Sequence, residues 1–381
     1  MAPVWKTGIA SLFSLLLKIM KLSAIIDAIE GFAPLSLQEK WDNSGLQIGL
    51  PDGNGEVTGV LICLDTTEAI VAEAIERGCN LIVSHHPLIF KGFKHLTAST
   101  PQERAAAAAI RGGVAVYSAH TSLDSTVGGV SYAMASLLGA ETGSVIEPAG
   151  VEYYTVSVIC PRRQSSDVRL VLLDNEPACT YADVDGESAD LSASGFDPVA
   201  GIALHHEPLT EVRVDVDSLR LGRVLAALAG MPGYDNMKVS VVPVRRRASQ
   251  YGLGVYATLP GKGLSGSEFV AVLRKAFGTP CIKASASYSP DRIIRRIALC
   301  SGSAPDFIGQ AARAGVDAYV TADVRYHDFA DCAAMNMIVF DVGHFESEYC
   351  AKDIFYHVIT KKIANFAVYK SETETNPVNY L

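Results

Sequence analysis

None of the eight cysteines forms a C-x-x-C pair, no basic run exceeds Arg245-Arg246-Arg247, and no apolar stretch is long enough to span a bilayer. Each absence removes a class of protein. Cysteines without that spacing, several of them inside apolar segments, read as buried reduced thiols of a cytoplasmic protein. The apolar stretch that follows Lys6 is too short for a transmembrane helix, and no small-x-small cleavage site follows it, so no membrane partner is expected. A net charge of −9 and a pI of about 5.5 argue against duplex nucleic acid as a partner, because releasing counterions from phosphates requires a positive footprint. What remains, over 381 residues with 49% hydrophobic content, is enough apolar material for a large core and two or three domains.

The chemistry-bearing residues begin with His85-His86, which end the apolar run Leu81-Ile82-Val83-Ser84. Such a run reads as a parallel strand buried on both faces, placing the histidines at its carboxyl end, where open α/β sheets carry their sites. Gly343-His344 and Glu348 answer them far downstream. The separation is explained by an internal repeat: Cys63 aligns with Cys300 and Gly78 with Gly315 at one common offset. Ala74 to Ser84 and Ala311 to Thr321 both read as helix, glycine cap and strand. At a shorter offset His120 and Asp124 pair with His344 and Glu348, both as His-x-x-x-acid. That i, i+4 spacing turns two side chains toward one point.

Five candidate ligands therefore converge: His85, His86, Asp124, His344 and Glu348. Imidazole with carboxylate suits zinc, iron, manganese or nickel rather than calcium or magnesium. Adjacent histidines are expected to point to different places, and five donors overfill one tetrahedral ion, so two ions bridged by a carboxylate are expected per chain. His120, at the repeat position of His344, is assigned to an acid/base role beside the ligands. His205-His206 has no repeat partner and reads as surface or core.

The strings Trp41-Asp42-Asn43-Ser44-Gly45-Leu46-Gln47, Ser84-His85-His86-Pro87-Leu88-Ile89-Phe90-Lys91, Ala119-His120-Thr121-Ser122-Leu123-Asp124, Thr321-Ala322-Asp323-Val324-Arg325-Tyr326-His327 and Gly343-His344 with Glu348 resemble the NIF-three-like family. Members of that family carry the name GTP cyclohydrolase 1 type 2 homologue. The resemblance runs from about Met20 to Leu381. It implies that His85, His86, Asp124, His344 and Glu348 ligate a dinuclear divalent-metal centre, with Glu348 or Asp124 bridging. It also implies a toroidal homohexamer whose metal sites face an internal cavity. Met20 resembles the usual start of the family, so residues 1–19 read as a misassigned upstream start or as an exposed or interface helix.

The expected fold class is α/β, with two repeated, pseudo-twofold-related units at 20–138 and 251–381 and a small α+β, ferredoxin-like domain inserted at 150–247. Polar, glycine-bearing breaks near 139–150 and 244–254 bracket the insertion. In it Tyr154 to Ile159, Glu211 to Val216 and Val239 to Val242 read as strands and Leu219 to Ala229 as an amphipathic helix, whereas 174–200 is acidic, serine-rich and weakly patterned. In longer members of the family this insertion resembles the trimeric nitrogen-regulatory and copper-tolerance proteins. Asp42 and Asn43 either cap a turn or line the cavity, and Asp323 and His327 either line the site or cap a helix. Ser301-Gly302-Ser303 reads either as a tight turn or as a source of N–H groups for an anion. The expected function is metal-dependent hydrolysis of a phosphate, an amide or a heterocyclic ring in a small-molecule substrate, through paired ions that polarise the bound group and activate water. The alternative is a non-catalytic metal-binding or regulatory scaffold.

Overall fold

A computed structural model describes residues 19–53, 55–175, 182–184, 209–244, 249–333 and 335–381. The expectations for residues 1–18, His205-His206 and Arg245-Arg246-Arg247, and most of those for 174–200, lie outside the described residues. The chain divides into two compact units, residues 1–149 with 249–381 and residues 150–248.

The first unit contains two mixed sheets, and the mixed α/β class is as expected. In one sheet the strands run Val368–Lys370, Val60–Cys63, Leu81–Ser84, Ala115–Ser118 and Gly45–Ile48. The first four are mutually parallel and the last is antiparallel. In Val60–Cys63, Leu81–Ser84 and Ala115–Ser118 every residue is buried, as a parallel sheet covered on both faces requires. The second sheet runs Lys283–Ala284, Ile338–Asp341, Ala318–Ala322, Arg296–Ser303, Gly252–Thr258 and Glu141–Pro148, with its three central-to-edge strands Ile338–Asp341, Ala318–Ala322 and Arg296–Ser303 parallel.

Helix ends follow local chemistry. Thr67 and Thr100 cap Glu68–Glu76 and Pro101–Gly112 through their side chains, and Ser265 with Glu268 forms a capping box on Gly266–Phe277. The two stretches aligned in the sequence each fold as helix, left-handed glycine and parallel strand: Glu68–Glu76, Gly78 and Leu81–Ser84, then Ile308–Arg313, Gly315 and Ala318–Ala322.

The division of the chain between the sheets is not sequential. Val368–Lys370, from the C-terminal end, is the edge strand beside Val60–Cys63, and Ala351, Phe355 and Ile359 of the helix Ala351–Lys362 share a core with Leu22, Ile25 and Val60. Glu141–Pro148, which precedes the second unit in sequence, pairs with Gly252–Thr258, which follows it.

Among the described residues of the second unit the chain order is strand, helix, strand, strand, helix, strand. Tyr153–Pro161 and Leu209–Asp217 form the centre of an antiparallel sheet, flanked by Lys238–Val244 and Ala182–Val184. Alternation by twos buries Val212, Val214 and Val216 against Val168, Leu172, Val224 and Leu228 of the two helices. Among the described residues no helix is long and apolar enough to cross a membrane.

Phe355 joins the C-terminal helix to the core of the first sheet and is fully buried. Phe355→Ala is expected to cost about 3–5 kcal/mol, as truncation of buried aromatics does. Chemical denaturation checks this, and a loss below about 1 kcal/mol would mean that the C-terminal helix is not integral to that core.

Candidate metal centre

Within the first unit, the carboxyl ends of the parallel strands of both sheets meet. From the first sheet come His85 and His86, directly after Leu81–Ser84, and His120, two residues past Ala115–Ser118. From the second come Asp323 after Ala318–Ala322, and His344 with Glu348 on the short helix His344–Glu348 after Ile338–Asp341.

Glu348 lies at the centre. One carboxylate oxygen stands 2.8 Å from His86 Nε2 and 3.2 Å from His344 Nε2, and the other 3.7 Å from His85 Nε2. Its burial is almost complete. The turn that admits it is made by Gly302, at φ +60°, where a Cβ would stand 2.3 Å from Glu348 Oε1. Asp124 lies 3.8 Å from His85 Nε2 and accepts a 2.9 Å hydrogen bond from Ser301 Oγ. The Gly302 N–H is engaged by Ser347 Oγ at 3.0 Å, so the Ser301-Gly302 turn orients the acids rather than offering N–H groups to an anion.

Each imidazole is held through its other nitrogen. His85 Nδ1 donates to the Ala119 carbonyl (3.0 Å), His86 Nδ1 to Asp65 (2.8 Å), His120 Nδ1 to Asp42 (2.9 Å) and His344 Nδ1 to Asp323 (2.7 Å). A carbonyl only accepts, so His85 Nδ1 carries a proton and Nε2 is the nitrogen left to face a cation. That Nε2 is buried and has no hydrogen-bond partner among the described residues. Two ligands of one tetrahedral ion stand roughly 3.4 Å apart at bond lengths of about 2.1 Å, so the gaps of 3.7 and 3.8 Å from His85 to the two acids are of the width a shared cation requires. Imidazoles anchored at Nδ1 by carboxylate or carbonyl, with Nε2 inward, are the usual setting of metal-bound histidine. Among the described residues two groups fit the spacing of a metal site: His85, His86 and His120, and His86, His344 and Glu348.

The pattern of the Duf34/NIF3 family, described as NGG1p interacting factor 3, matches residues 20–377. The chain belongs to that family. A Staphylococcus aureus protein named GTP cyclohydrolase 1 type 2 homolog is 29% identical over 374 residues, covering 95% of this chain and 100% of the relative. A Bacillus subtilis protein of the same name is 27% identical over 376 residues, covering 94% and 98%. The crystal structure of a Bacillus cereus protein related to NIF3 superposes with a TM-score of 0.77 at 27% identity, covering 96% of this chain and 100% of that one.

Against the expectations from sequence, all five candidate ligands lie in one cluster, with Asp124 joined through His85. The adjacent histidines differ from expectation. They do not point to different places, because both lie past the end of the strand, where side-chain alternation lapses, and both reach Glu348. His120 groups with His85 and His86 rather than standing behind them. Asp42 does not act as a simple turn cap. Its buried carboxylate accepts from His120, from Ser44 Oγ at 2.9 Å and from Thr121 Oγ1 at 2.5 Å. Burial alone would raise the pKa of Asp42, but the bonds from His120 and Thr121 outweigh it and hold the carboxyl well below the usual range. Asp323 anchors His344 from a left-handed backbone at φ +54°, while His327 is exposed and packs edge-on to Tyr326. Asp65 was missed altogether. It follows the strand Val60–Cys63 that neighbours the His85 strand in the parallel sheet, and that adjacency is the signal that could have found it.

Without a bound cation His86 and His344 hold protons. Burial works against the charged His86, but Asp65 and Glu348 overcome it and raise its pKa to about 10; Asp323 and Glu348 do the same for His344, to about 11. Burial pushes Asp124 up, while His344, His85 and His86 overcome burial and keep Glu348 low. Histidines whose pKa rises on folding, from about 6.5, stabilise the metal-free fold fully below that value, and the contribution fades as pH climbs through the folded values. Chelator-treated protein is therefore expected to melt at a lower temperature at pH 9 than at pH 7, with a smaller decline in the His86→Gln, His344→Gln double variant. A melting temperature that rises over this interval would contradict the assignment.

Proposed function

We propose that this chain is a metal-dependent hydrolase whose centre holds two divalent ions through His85, His86, Asp124, His344 and Glu348. The observation that carries this reading is the set of four imidazoles, each fixed through Nδ1, three of them facing a buried carboxylate, with His85 Nε2 unpartnered. The donor set suits zinc, iron, manganese or nickel. Bound there, such ions supply Lewis acidity and an activated water. Glu348 turns one carboxylate oxygen to His86 and His344 and the other toward His85, the placement a bridging ligand would have, and Ser301 and Ser347 steady the acid-bearing turns. Asp42 fixes the orientation of His120, whose Nε2 is left for a metal or for proton transfer to a small-molecule substrate. Ring opening of a heterocycle, the reaction named for the relatives, is one form such hydrolysis would take.

A specific observation favours the second reading, a non-catalytic metal-binding or regulatory scaffold. His120 lies within ligand distance of His85 and His86, so if it binds an ion no imidazole of the cluster remains for acid/base work.

We also assign residues 20–138 and 251–381 to two related α/β units and 150–247 to an inserted ferredoxin-like domain. The alternating helices and antiparallel strands of the second unit support the insertion, and the helix–glycine–strand correspondence supports the related units. A cytoplasmic homohexamer is the assembly this reading favours; the assembly rests on family resemblance, and the location on cysteines free of disulfides among the described residues.

Purified protein is expected to hold two divalent ions per chain by elemental analysis. His85→Ala and Glu348→Ala should each lose at least one and His205→Ala neither, while one ion or fewer in saturated protein would remove the dinuclear centre. His120→Ala separates the two readings. Retained metal with hydrolysis lowered about 100-fold or more fits an acid/base group, and lost metal fits a ligand.

A further inference from the structure

Trp41 and Phe90 stand at the rim of the cluster in a way that packing does not explain. The indole is 59% exposed and the phenyl ring 43%. Large aromatic rings are normally mostly covered, and those left in water beside a polar site mark a binding surface.

Their placement is fixed. The two ring centroids are 6.1 Å apart with their planes inclined at 59°. Each lies near the His120 ring, at 6.1 and 6.3 Å, and both meet it edge-on. His120 in turn lies 5.3 Å from the His85 ring and 5.6 Å from the His86 ring. His120 is thus a wall common to the aromatic corner and to the imidazole cluster.

The loops bearing the two rings are tied together by side chains of the Trp41 motif. Asn43 Nδ2 donates to the Ile89 carbonyl at 2.6 Å, Gln47 Oε1 accepts from the Ile89 N–H at 3.2 Å, and Gln47 Nε2 donates to the Asn43 carbonyl at 2.7 Å. Ile89 immediately precedes Phe90, so these bonds set the separation of the rings ahead of any ligand. Preforming a contact surface lowers the ordering cost of binding. The splay of 59° leaves no room for a ring sandwiched between two parallel faces. It suits a flat ring laid on one aromatic face with its edge toward the other.

We propose that Trp41 and Phe90 are substrate-binding residues that hold a planar, unsaturated ring, placing its polar substituent at the His85–His86–His120 side of the cluster. This deepens the hydrolase reading and rests on it for which end of the ligand reacts; the preference for a flat ring is independent of it.

The test compares benzoate with cyclohexanecarboxylate, two carboxylates that differ in the flatness of the ring. Calorimetric titration of the zinc-loaded full-length chain is expected to show benzoate binding about fivefold or more tightly, the lower end of what aromatic stacking provides. The sequence has two tryptophans, so in a Trp5→Phe chain benzoate should alter the fluorescence of Trp41. Trp41→Leu and Phe90→Leu, which keep apolar bulk at exposed positions, should each bring the ratio of affinities toward one and leave the zinc content unchanged. A ratio near one in the unmodified chain, or a ratio that survives both substitutions, overturns the proposal. So does a ratio near one together with a smaller particle mass for Trp41→Leu by light scattering, which would place the rings in a subunit interface. If the chain takes up none of zinc, iron, manganese and nickel, the hydrolase reading fails; the ratio measured on the metal-free chain still decides this proposal, because losing the metal weakens both carboxylates alike.

Discussion

A carboxylate taken out of water must find compensating charge or give up its own, and Glu348 is such a carboxylate, 3% exposed and faced by three imidazoles. The layers around it alternate in sign. Outward from Glu348 come the imidazoles, and beyond them Asp65, Asp323, Asp42 and the Ala119 carbonyl, which accept the Nδ1 protons. An arrangement of this kind is balanced by positive charge at its middle. Protons on His86 and His344 provide that charge in the metal-free chain, and a cation would displace them, which couples metal affinity to pH.

Such a centre needs walls that do not yield. The strands behind His85 and His120 are buried at every position, so the turns that follow them are anchored to rigid elements. The helix bearing His344 and Glu348 is only five residues long and is steadied by two side-chain contacts: Ser347 receives the Gly302 N–H, and Asn376 of the tail donates to Glu346 at 3.1 Å. Precision at the centre is therefore bought from both sheets of the unit at once.

Much of this was legible in the sequence. The all-apolar strands announce themselves through Leu81-Ile82-Val83, and the spacing of His344 and Glu348 puts two polar side chains on one turn. The alternation from Glu211 to Val216 likewise marks a half-buried strand, and the structure has one there. What was not legible depends on which loop meets which. Asp65, Asp42 and Asp323 are ordinary acids in sequence, and their role comes from contacts made 21 to 78 residues away along the chain. The convergence of His85 and His86 was concealed for a related reason. Alternation holds within a strand and ceases past its last paired residue, and no local signal says where pairing stops.

The strand Val60–Cys63 has Leu81–Ser84 on one side and Val368–Lys370 on the other. On the ribosome these neighbours emerge about three hundred residues apart, so the first sheet passes most of its synthesis with one apolar edge unpaired. Closure of that edge has to wait for Val368–Lys370 to emerge. A chain truncated or stalled before Val368 would therefore carry an open template for pairing with another strand, and exposure to aggregation and to quality-control proteases at that edge lasts until Val368–Lys370 is made.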